Sequence, residues 1–90
     1  MTNDQYILHK PWNDAAQVAT QAFQAYCANP CQRLYLYAGN NHAYPVRDDD
    51  KPPYGMELVS GDSIPRNLEI GQLTRWIYER LRKAPYLSIA

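Results

Sequence analysis

A switch between two apolar periods predicts an α+β fold for this 90-residue chain, a small mixed or antiparallel sheet of three to four strands with two helices in the order β-α-β-β-β-α. Three observations carry that expectation. Apolar residues recur at three- and four-residue spacing from Ala15 to Cys27 and again from Gln72 to Ala84, which is the period of a helix with one buried face. From Arg33 to Ala38 they alternate, the period of a half-buried strand. Between the helical segments, Gly39-Asn40-Asn41, Asp48 to Pro53 and Gly61-Asp62 supply turn chemistry.

Taken in order, Tyr6, Ile7 and Leu8 read as a short strand over Gln5 to His9, ended by Lys10-Pro11. Asn13 and Asp14 suit a helix start, where side-chain oxygens accept orphan amides and anions meet the positive dipole end. The helix that follows carries Ala15, Val18, Ala19, Ala22, Phe23 and Tyr26 on one side and stops at Asn29-Pro30. Its alanines allow close approach to a sheet. Leu34 and Leu36 then point one way and Arg33, Tyr35 and Tyr37 the other. Gly39-Asn40-Asn41 tolerates positive φ, so Ala43 to Arg47 returns as a second strand. The charged, proline-bearing run after it cannot continue a central strand. Met56 to Ser60 is the third hairpin strand. Ser63 to Ile70 fits strand and helix equally, and Gln72 to Ala84 is a helix with Arg82 and Lys83 in its last turn and Pro85 beyond. Tyr86 to Ala90 reads as a short apolar tail.

The length makes residues 1–90 one domain with a thin core. A composition that is 46% hydrophobic and 20% charged excludes a disordered chain. Net charge is zero, so no overall field draws the chain to nucleic acid or anionic membrane. Residues 1–65 nevertheless hold four cations against seven anions, and residues 66–90 five against two. No segment has the features of an export signal or a membrane span, which places the protein in the cytoplasm with Cys27 and Cys31 reduced.

The residues that carry chemistry do not assemble into a known pattern, and the expectation is a non-enzyme without metal or cofactor. His9 and His42 are isolated, and neither lies in a nucleophile motif. The interval from Cys27 to Cys31 is one residue too long for a two-spacer redox pair, and buried inert thiols at a helix end are the expected reading. Together with His9 and His42 they make up the count for a zinc site, but not its spacing. Asp48-Asp49-Asp50 lacks the alternation and closing glutamate of a calcium loop.

Binding features remain. No residue from Ala15 to Gln32 is charged, so the outer row Gln17, Gln21 and Gln24 can be desolvated cheaply at an interface. Arg33, Tyr35 and Tyr37 form a stripe joined by Tyr44, in residue types that anchor interfaces. These residues, with Asp48, Asp49 and Asp50, are the predicted contacts of a small protein–protein interaction module. Its partner is another protein or a second copy of itself, and its size suits an inhibitor or accessory protein of a phage or mobile element. A second reading is nucleic-acid binding through Arg66, Arg75, Arg80, Arg82 and Lys83 with the sheet tyrosines. A small metal-dependent protein or enzyme ranks third.

Overall fold

The computed structural model describes residues 3–84, and their side chains from Lys10 onward. It is an α+β structure of order α1 (Asn3–Ala28), β1 (Leu34–Gly39), β2 (His42–Arg47), β3 (Glu57–Ser63) and α2 (Ile70–Lys83). The tail from Pro85 to Ala90 lies outside the described residues.

The first element is the main departure from expectation. The stretch predicted as a strand over residues 5–9 is helical, and α1 runs unbroken through Pro11. Three adjacent apolar residues carry no period, so a strand and a buried helical turn look alike there. An interior proline forfeits one helical hydrogen bond and crowds the preceding turn, at about 3 kcal/mol. Contacts next to Pro11 offset that. Lys10 pairs with Asp14 one turn on, at 2.8 Å, and also reaches the Asn41 carbonyl at 3.2 Å. Trp12 meets Tyr78 of α2 edge-on, with ring centroids 5.1 Å apart. Asn13 and Asp14 therefore lie inside α1 and do not cap it.

The sheet is three-stranded, antiparallel and ordered β2-β1-β3. β1 follows the expected alternation, β2 returns as the expected second strand, and Asn40 (φ 51°) and Asn41 (φ 66°) form the two-residue turn between them. Two consecutive positive φ values define the turn whose twist matches antiparallel strands. Pro45 sits in β2, an edge strand, where a missing amide is tolerated. β3 extends to Ser63, beyond the expected Ser60, with a register shift between its pairings to Tyr35 and Tyr37. Residues 64–69 are neither strand nor helix. The Glu69 amide donates to the Gln72 side chain at 3.4 Å as α2 begins.

One face of the sheet carries the core. Leu34, Leu36 and Ala38 of β1 pack with Ala15, Val18, Ala19, Ala22 and Tyr26 of α1 and with Leu73, Ile77 and Leu81 of α2. Leu36 and Ile77 are fully buried, and each such side chain contributes about 1.5–3 kcal/mol. Against a total stability of roughly 5–15 kcal/mol, no single one is dispensable. Phe23, expected on this face, is 41% exposed, because it lies about a quarter turn round the helix from the Ala15–Ala22 line.

Tyr26 closes the core at the far end. Its hydroxyl donates to the Ile64 carbonyl at 2.6 Å, holding the segment that leaves β3 against α1. Burial pushes its phenol above the ordinary 10.0. A raised acid is neutral and stabilising below pH 10, and its contribution is lost as pH rises through the shifted value. Tyr26→Phe should therefore destabilise the fold by about 1–3 kcal/mol near neutrality, through the orphaned carbonyl. It should also lessen the alkaline loss of stability, as read from urea melts across the pH range. An unchanged alkaline limb would contradict this role.

Candidate interaction surface

Cross-strand register decides which side chains share the second face of the sheet. Tyr35 lies opposite Val46, Tyr37 opposite Tyr44 on one side and Leu58 on the other. These residues alternate with the core-facing leucines and so point away from both helices. The expected association of Tyr35, Tyr37 and Tyr44 on one face is what the register produces. Tyr44 is 40% and Leu58 43% exposed, whereas Tyr35 and Tyr37 are half-buried.

The partial burial has a topological cause. β2 and β3 are both antiparallel to β1, so they run in the same direction. Arg47 lies beside Leu34 and Glu57 beside Ala38, so residues 48–56 must carry the chain from one end of the sheet to the other. The helices occupy the inner face, which leaves the tyrosine side as the route. On that side Val46 is buried to 7% exposure and stands outside the core cluster.

The connection is held at both ends. At its start the Asp48 amide donates to the Arg33 carbonyl at 3.2 Å and the Asp50 amide to the Arg47 carbonyl at 3.0 Å. At its end the Met56 amide donates to the Pro53 carbonyl at 3.1 Å, and Gly55 has φ +81°. A positive φ at the third position is the signature of a type II turn, which only glycine adopts without strain. Gly55 is also wedged against the hairpin: a Cβ on Gly39 would stand 2.3 Å from its carbonyl oxygen. Tyr54, between Pro53 and Gly55, is 100% exposed. Nothing in the sequence analysis above singles it out. The Pro-Tyr-Gly order does encode this turn, but exposure is a tertiary property.

The other predicted contacts divide. Arg33 and the acidic triplet meet at the sheet end near Leu34, where Asp50 pairs with Arg47 at 2.6 Å and Asp48 and Asp49 share a depression with Arg33 and Arg47. The acidic turn is thus partly compensated, with two arginines set against three aspartates. Gln17, Gln21 and Gln24 are exposed on α1; Gln17 and Gln21 border Tyr44 across the β2 edge, a different surface from Tyr35 and Tyr37.

The cations are not one patch. Arg66 donates to the Pro30 carbonyl at 2.9 Å, a tie between loops. Arg80 lies over the Trp76 ring at 3.9 Å and Arg82 over Tyr78 at 5.6 Å, while Arg75 and Lys83 are exposed. All but Arg66 are on α2, in the layer behind the sheet, and of these Arg80 and Lys83 come to the β3 edge, where they line one groove with Gly55 and Leu58. Cys27 and Cys31 are free and exposed, not the buried thiols expected, because both lie where α1 leaves the core. His42 stands beside Tyr44, ring centroids 6.4 Å apart, and the His9 side chain lies outside the described residues. Among the described residues, no three His, Cys, Asp or Glu side chains come together to hold a metal, and no helix is long and apolar enough to cross a membrane.

Comparison with known proteins adds no functional information: no family model, curated protein or solved structure matches the chain.

The wedge at the hairpin tip is testable directly. Gly39→Ala should lower stability by about 1–3 kcal/mol, as substitutions that force a backbone shift do. It should also speed hydrogen exchange of the Met56 amide more than that of Leu36. Wild-type stability and exchange would show that the two glycines do not touch.

Proposed function

We propose that the chain is a protein-binding module whose contact surface is the outer side of the sheet, centred on Tyr54 and flanked by Tyr44 and Leu58. The observation that carries this reading is a fully exposed tyrosine on a turn fixed by Pro53 before it and Gly55 after it. Leaving a phenol ring entirely in water does nothing for folding. Buried in a partner's pocket, a ring of this size contributes about 1.5–3 kcal/mol. A turn that is already ordered loses little further entropy on binding. Tyrosine is also among the residue types that dominate measured interface energies.

The partner is another protein or a second copy of this chain, consistent with a small inhibitor or accessory protein acting in the cytoplasm. The arrangement favours this over nucleic-acid binding. Base stacking on a sheet needs a row of cations beside the rings to take the phosphates; here Arg75 and Arg82 sit on α2 away from the β3 edge, and Arg80 and Lys83, which line a groove there, share it with Glu57.

The test is affinity capture from the native host in parallel with sedimentation equilibrium, comparing wild type with Tyr54→Ala and Tyr54→Phe. Tyr54→Ala should weaken association by about 2 kcal/mol, roughly thirtyfold in Kd. Its melting temperature should be unchanged, and Tyr54→Phe should retain most binding. A protein captured equally by Tyr54→Ala, or a self-association that ignores the substitution, would overturn the reading.

A further inference from the structure

A groove of about 360 Å³ opens beside the Tyr54 turn, between the start of β3 and the last turn of α2. α2 packs closely on α1 and scarcely on β3, and the gap between them is this groove. Ala38 and Val59 supply apolar wall, Gly55 lies at one end, and Arg80 and Lys83 line the α2 side with Glu57 across from them on β3. β3 is an edge strand, so its outer backbone groups have no strand partner.

The charge here is partly engaged: Arg80 lies over the Trp76 ring and donates to the Trp76 carbonyl at 3.4 Å, and Glu57 offsets one of the two cations lining the groove. Neither Arg80 nor Lys83 makes an ion pair among the described residues, and Arg82, the third cation of the same turn, lies over Tyr78 and does not line the groove. Cations in a last helical turn suit the helix dipole on their own. That role is served from any side of the helix, and it does not explain why two of the three line a groove with an apolar wall.

We infer that this groove receives an extended acidic segment of the partner protein, with Asp or Glu carboxylates on Arg80 and Lys83 and an apolar side chain between them against Ala38 and Val59. Two cations within one turn match a segment with two carboxylates better than a single chain terminus. The inference rests on the reading of the chain as a protein-binding module, since the groove adjoins the Tyr54 turn, and it names the chemistry that partner must present. Arg80 responds to occupancy: a carboxylate drawing its guanidinium off Trp76 alters the indole environment.

The probe is the blocked pentapeptide acetyl-Val-Asp-Val-Glu-Val-amide, titrated to about millimolar concentration, the range in which so short a ligand binds. Fluorescence of Trp76 is followed in a Trp12→Phe background. The acidic peptide should give a saturating change that weakens with salt, while its Asn/Gln counterpart gives none. Lys83→Gln, an exposed substitution compatible with folding, should weaken binding about tenfold, the loss expected from one charge-assisted contact. No change with the acidic peptide, an equal change with the amide peptide, or full binding by Lys83→Gln would overturn the inference. The peptide assay needs no partner, so its failure is separable from that of the module reading: Tyr54→Ala can abolish capture while the groove stays empty, and the converse.

Discussion

Two helices fill one face of a three-stranded sheet whose outer strands point the same way, and this single constraint dictates what the other face can look like. The chain has to travel from the end of β2 to the start of β3, a full strand length away, with the inner face closed to it. Residues 48–56 therefore pass by the tyrosine side, where Gly55 meets Gly39, and on that side Val46 is buried and Tyr35 and Tyr37 are half-buried. What would have been an open aromatic sheet becomes a roofed one, and the roof carries the most exposed ring in the described structure. The wedge between Gly39 and Gly55 anchors that roof to the hairpin tip.

Charge is arranged locally. The acidic turn is partly balanced by Arg33 and Arg47, Lys10 pairs with Asp14, and two arginines of α2 rest on aromatic rings. Zero net charge here is the sum of neighbourhoods already near balance, with the last turn of α2 as the exception. An interface built on such a surface is expected to hold through buried rings and release slowly, with little electrostatic acceleration of encounter.

The parts of the fold that were legible in the sequence are those set by local period. Leu34, Leu36 and Ala38 alternate with Tyr35 and Tyr37, and Ala15, Val18, Ala19 and Ala22 recur with the helix, because side-chain direction follows backbone geometry. The Asn40-Asn41 turn was legible because few residues accept two successive positive φ values. The run Tyr6-Ile7-Leu8 was not, since three adjacent apolar residues have no period and Pro11 argued for a boundary that packing around Lys10 and Trp12 overrides. The tyrosine stripe could be placed on a face, but whether that face lay open depended on the path of residues 48–56. That path follows from strand order, a non-local property. Tyr54 was hidden for the same reason: its turn is written in Pro53 and Gly55, its exposure in the topology.

A shaped contact surface requires the crossing segment to be fixed, because a wandering loop would present none. Backbone ¹⁵N relaxation reports this most directly. The amides of Tyr54 and Gly55 should have order parameters near those of β1, about 0.85. Values below about 0.6 would mean that the turn is mobile on the picosecond-to-nanosecond scale, and that Tyr54 is exposed because nothing holds it.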